Sequence, residues 1–112
     1  MKKAFVVLGA ALCLPLLPVA AQAGGNPAAG QKKAAQVCAA CHGAQGNKPS
    51  APDQPILAGQ YPDYLVQVLG DYKSGKRKNA IMNGMAAGLS HEDMEDLAAW
   101  FSIQPSELFT ER

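Results

Sequence analysis

Hydrophobic and polar positions change their rhythm several times along the 112 residues. Lys2 and Lys3 precede an apolar run from Ala4 to Val19, and Ala21-Gln22-Ala23 follows it. This is the order of charged region, apolar region and small-x-small cleavage site in a secretory signal peptide. Residues 1–23 are therefore expected to be removed, leaving a single domain over 24–112. Pro15 and Pro18 interrupt the run, which argues against a retained membrane anchor. Cys13 follows Leu12, not the small residue that a lipoprotein signal needs, and reads as an apolar residue discarded with the segment.

Beyond Gly24 the period becomes helical. Asn26-Pro27 has the form of an N-cap followed by proline at the first helical position, opening a helix to about Val37. Gly30, Ala34, Val37 and Cys41 recur at spacings of four, three and four, as one helical face would. From Gly43 to Gly59 the chain is rich in Gly and Pro without a sustained period, and it reads as one long loop. Tyr61-Pro62 opens a second helix with Tyr64, Leu65, Val68, Leu69 and Tyr72 as its apolar stripe, closed by Ser74-Gly75. A basic run, Lys76-Arg77-Lys78, leads into a short, irregular segment bearing Met and Gly, Asn79 to Leu89. Ser90 with Asp93 predicts a capping box at the start of a last helix, with Met94, Leu97, Ala98 and Phe101 on its apolar side. No alternating run of strand length is present. The expected class is all-α.

Charge narrows the partners. Residues 24–112 hold 8 Lys and Arg (10 less Lys2 and Lys3) against 9 Asp and Glu, a net of −1. Nothing in that balance calls for nucleic acid. A domain this small is marginal when it builds a core from side chains alone, so a large apolar group at its centre would stabilise it.

Cys38-Ala39-Ala40-Cys41-His42 supplies a candidate for that group. C-x-x-C-H is the attachment signature of c-type haem. Residues three apart on a helical turn share a face, so both thiols can reach the vinyl groups on one porphyrin edge. His42, next along, can place its imidazole beneath the iron as the proximal ligand. A thioredoxin-like redox pair would need a β-α-β setting that this pattern lacks. A zinc site would need a second Cys/His pair. The expected cofactor is one haem c, held covalently through the two cysteines.

With that motif in place, Gly30 to Phe101 resembles the class I cytochromes c, above all the bacterial c-553 type and the single domains of the c-4 type. The resemblance implies short helices wrapped around one haem. It sets Gly30 at a crossing of the first and last helices, opposite Leu97 and Trp100. It also implies that the Pro55 carbonyl of Pro55-Ile56-Leu57 accepts a hydrogen bond from His42 Nδ1, with Leu57 completing the family's Pro-x-Leu. An arginine near Arg77 lies close to the haem in that family. Lys73 and the basic run could dock an acidic partner or pair with haem propionates, or equally form a solvated helix end. For the sixth iron ligand the residues themselves leave Met82 and Met85 open, since Met94 fits the core. The family's spacing favours Met82, five residues after Arg77 and seven before Leu89. His91, in the first turn of the last helix, reads as a surface residue rather than a ligand.

The expected function is transfer of single electrons between a redox-protein donor and acceptor. The chain is expected to act as a soluble periplasmic monomer with no stable membrane insertion, and not as an enzyme. A haem subunit of a larger oxidoreductase, or a small-ligand haem protein with an open sixth position, are the alternatives.

Overall fold

A computed structural model describes residues 24–107, so the expected signal segment and Cys13 lie outside the described residues. The elements run α1 (Pro27–Val37), α2 (Ala39–His42), α3 (Pro62–Ser74), α4 (Ala80–Ala87) and α5 (His91–Ser102). Among the described residues there is no strand. Helix α5 packs against both α1 and α3, and α4 packs on α3.

Local signals set most of these boundaries. The Asn26 side chain accepts hydrogen bonds from the Ala28 and Ala29 amides at 2.9 and 3.3 Å. Pro62 opens α3 and Gly75 closes it. At α5 the Ser90 hydroxyl accepts from the Asp93 amide while the Asp93 carboxylate accepts from the Ser90 amide, at 3.0 and 2.9 Å. The Ser90 amide and then Lys33, whose ammonium lies 3.1 Å away on α1, hold that carboxyl below its usual range.

The core is a small cluster of Ala34, Leu65, Leu89, Met94, Leu97, Ala98 and Phe101, with Leu97 fully buried at its centre. The apolar side expected of the last helix thus faces inward. The expected face of α1 is shorter than its pattern. Gly30 and Ala34 are buried, whereas Val37 is 38% exposed. Cys38 leaves the helical register at φ −112°, so Cys41 belongs to α2 and not to a continuation of α1. Helix α3 divides its expected stripe. Leu65 and Leu69 turn to the core, joined by Val66 from outside the stripe, while Tyr64 stays 47% exposed.

The segment Asn79 to Leu89, expected to be irregular, contains a two-turn helix instead. Asn79 accepts from the Met82 amide at 3.0 Å, and alanines and methionines favour the helical backbone. Met82 and Met85 therefore lie one turn apart on α4.

Helices α1 and α5 meet backbone to backbone. A Cβ added at Gly30 would overlap the Asp96 carbonyl and lie 2.9 Å from Trp100 Cβ. The crossing falls on Asp96 and Trp100, with Leu97 beside it in the core. Substituting Gly30→Ala should therefore separate the helices despite alanine's better helix propensity. The expected net cost is about 1–3 kcal/mol, the usual penalty for overpacking. Urea denaturation followed by circular dichroism measures it, and a wild-type midpoint would show that the crossing yields without cost.

Candidate functional site

The site grows from the end of α1. The Cys38 amide bonds the Ala34 carbonyl at 2.9 Å, and the Cys38 carbonyl accepts from the amides of Cys41 and His42 at 3.2 and 3.0 Å. One tight turn thus carries both thiols and the imidazole. Cys38 and Cys41 are free and half-buried. Burial pushes the Cys38 thiol up to about 11. That keeps it protonated at neutral pH, the opposite of the lowered pKa that a redox-active C-x-x-C pair uses. Among the described residues no group of three or more His, Cys, Asp or Glu is placed to hold a metal ion, so the zinc reading lacks its ligands.

His42 is 6% exposed, and its Nδ1–H donates to the Pro55 carbonyl at 2.9 Å. A carbonyl only accepts, so Nδ1 carries the proton and Nε2 is the nitrogen with a lone pair for a metal. The loop that delivers Pro55 is folded by its own backbone. The Ser50 amide donates to the Cys41 carbonyl at 2.9 Å, closing the end of α2. Gln54 Oε1 accepts from the Ser50 amide and hydroxyl, both at 2.9 Å, and from the Ala51 amide at 3.1 Å. Leu57 and Ala58 donate their amides to the Gly46 carbonyl at 2.7 and 3.1 Å. Gly46 has φ +73°, and a Cβ there would press 2.7 Å from the Phe101 ring. Trp100 Nε1–H completes the strap, donating to the Ala44 carbonyl at 3.1 Å.

Cys38, Cys41, His42, Pro55 and Leu57 thus form one unit of α2 and its loop, fastened to α5. Met82 and Arg77 belong to the α3–α4 unit. Met82 is partly buried, while Met85 is 48% exposed. Arg77 is solvent-facing. Its Nε–H donates to the Tyr72 hydroxyl at 3.1 Å, its guanidinium lies 5.3 Å from that ring, and it also bonds Tyr64. His91 is on the surface, 3.4 Å from Glu95 and 74% exposed.

Two residues of consequence escaped the sequence reading, Gln54 and Asn83. The amide of Asn83 bonds the Asn79 amide and the Tyr72 and Arg77 carbonyls. Both act mainly on backbone groups, the Ser50 hydroxyl apart, so little in the partner residue types marks them. Only the four-residue spacings Ser50/Gln54 and Asn79/Asn83 hint at them.

This arrangement fits a haem. The donor set offers an oriented imidazole and two thiols on one turn, with a thioether on α4. The α3–α4 unit also leaves Tyr64, Ile81 and Met85 at 47, 65 and 48% exposure, apolar surface that a large planar group can cover. A separate groove of about 820 Å³ lies between the start of α1, α3 and α5, lined by Pro62, Val66, Met94 and Ala98 among others, and includes none of the site residues.

The chain matches the family model described as Cytochrome c over residues 27–102. It is 52% identical over 84 residues to cytochrome c4 of Pseudomonas aeruginosa, covering 75% of this chain and 41% of that one. Cytochrome c-554(548) of Halomonas halodenitrificans is 45% identical over 83 residues, covering 71% of this chain and 98% of the relative. The crystal structure of reduced recombinant cytochrome c4 from Pseudomonas stutzeri superimposes with a TM-score of 0.66 at 47% identity, over 72% of this chain and 46% of that one. The chain therefore spans less than half the length of these cytochrome c4 relatives. From the motif turn through the α1–α5 crossing to these matches, the chain belongs to the cytochrome c family, with the all-α class I fold and the covalently bound haem which that membership implies.

Proposed function

We propose that this chain is a mono-haem electron carrier whose iron is held by His42 and Met82. The observation that carries the reading is the buried imidazole of His42, its Nδ1 committed to the Pro55 carbonyl, on the same turn as two free thiols. Bound there, haem supplies an iron that gains and loses one electron reversibly. The work of the chain is to hold that centre still. Cys38 and Cys41 tether it through thioethers, so it stays in place without a dissociation equilibrium. The Pro55 carbonyl fixes the plane of the imidazole and raises its basicity. The Met82 thioether, a soft ligand, favours the ferrous form and raises the potential. Leu57 and the apolar side chains of α3 keep water from the site.

With His42 and Met82 to hold the iron, the chain would pass electrons between a redox-protein donor and acceptor and perform no catalysis of its own. The reading extends to export: residues 1–23 are removed and residues 24–112 act in the periplasm as a monomer. Arg77 is engaged by Tyr72 and Tyr64, and Lys76 lies 3.6 Å from Asp71. Lys78 is therefore the better probe of a docking role for the basic run.

Intact-mass analysis of the purified native protein is expected to give residues 24–112 plus one haem, and acid–acetone should leave that haem on the polypeptide. Released haem, or a species retaining Met1 to Ala23, would contradict the attachment or the export respectively. Met82→Ala should abolish the thioether–ferric charge-transfer band, lower the potential and let CO bind the ferrous iron, with Met85→Ala doing none of these. The reverse pattern would move the ligand to Met85. Lys78→Ala should slow reaction with an acidic redox partner several-fold at low salt, the difference fading near physiological salt, where the screening length is about 8 Å. Rates insensitive to the substitution at every salt would leave the run as a solvated helix end.

A further inference from the structure

Helix α4 has little apolar anchorage. Among its residues only Ala86 is buried, while Ile81 and Met85 are 65 and 48% exposed. Apart from Ala86 and the core residue Leu89 just beyond its end, its seat on α3 is made by polar contacts at its two ends. At the far end the Lys73 ammonium donates to the Leu89 carbonyl. At the near end a single side chain does most of the joining. Asn83 Oδ1 accepts from the Asn79 amide at 2.9 Å, and Asn83 Nδ2 donates to the Tyr72 carbonyl at 2.7 Å and the Arg77 carbonyl at 2.9 Å. One planar amide thus ties the first turn of α4 to the last turn of α3 and to the connection between them.

We propose that Asn83 is the positioning residue for Met82, holding α4 at the height and rotation from which the thioether meets the iron. This rests on the reading of Met82 as the sixth ligand. The physical reason is adjacency without chemical overlap. Asn83 directly follows Met82 on a helix, so its side chain points away by about a third of a turn while its backbone shares the same rigid segment. Fixing Asn83 fixes the origin of the Met82 side chain. An amide is required, because the three partners are one donor and two acceptors. Aspartate keeps the size and can still accept from the Asn79 amide. It has no proton for the two carbonyls and would set a charged oxygen against them. Alanine leaves all three contacts unmade.

The test uses the haem-loaded protein, with Met82→Ala and Gly30→Ala as references. Asn83→Ala and Asn83→Asp are expected to retain the covalent haem and helical circular dichroism. They should lose most of the thioether–ferric charge-transfer band and take up CO at least about tenfold faster in the ferrous form, the shift that roughly one net hydrogen bond controls. Gly30→Ala, which strains the α1–α5 crossing, should keep the band and exclude CO below its unfolding transition. That result separates positioning from general loss of stability. A band that survives Met82→Ala overturns the ligand assignment itself. A band lost in Met82→Ala but intact in both Asn83 variants overturns the positioning role alone, as does equal loss of the band in Gly30→Ala. Should both Asn83 variants fail to fold, the wild-type protein still decides. Slow exchange of both Asn83 side-chain amide protons is expected, and exchange at the rate of a free amide overturns the proposal.

Discussion

Helices α1 and α5 lie so close at Gly30 that no side chain fits between the Gly30 backbone and the Asp96 carbonyl. Close approach at that point brings Ala34 against Leu97 and its neighbours, and those few residues are most of the core. Two other elements then take their places from α5. Helix α3 packs Leu65 and its neighbours on one side of it. The loop after the haem motif is strapped to its last turns through Trp100 to Ala44, Gly59 to Phe101 and the contact of Gly46 with the Phe101 ring. The Lys33–Asp93 pair and the capping box add to the same junction, though exposed charges contribute modestly.

The site inherits its order from that junction. Pro55 reaches His42 because its loop is closed on itself by Gly46 and Gln54 and held against α5. The orientation of the imidazole is therefore a property of a backbone carbonyl set by the fold. Burial of Cys38 has a similar origin. It sits where α1 ends against the core, and that burial pushes the free thiol up to about 11 before any haem is attached. The same C-x-x-C spacing in a charged, exposed setting would behave as a redox pair.

The connection from α3 to α4 follows different physics. Helix α4 is short, weakly buried and seated through hydrogen bonds from Asn83 and Lys73. Tyr64 and Tyr72 on α3 hold Arg77 in the connection that leads to it. The loop after α2 is thus set by helix packing and α4 largely by polar contacts to backbone. Polar contacts made partly in solvent are individually weak, so the seat of α4 depends on several acting together.

The amino-acid sequence by itself determined what depends on neighbours in the chain. Asn26-Pro27, Tyr61-Pro62, and Ser90 with Asp93 mark helix starts through caps that need only a few adjacent residues. Cys38, Cys41 and His42 are legible for the same reason, because the attachment chemistry requires them within a single turn. The pairing of His42 with Pro55 and the crossing at Gly30 were legible only through likeness to a family. Each joins groups far apart in the chain. Tertiary structure alone decided the rest. It made a helix of residues 80–87, whose N-cap Asn79 and interior Asn83 look like ordinary loop polar residues. It turned Leu65, Val66 and Leu69 inward and left Tyr64 to Arg77, because an apolar stripe does not say which of its edges meets the core. It also gave Gln54 and Asn83 their work, since all their partners but the Ser50 hydroxyl are backbone groups, which every residue carries and no sequence pattern distinguishes.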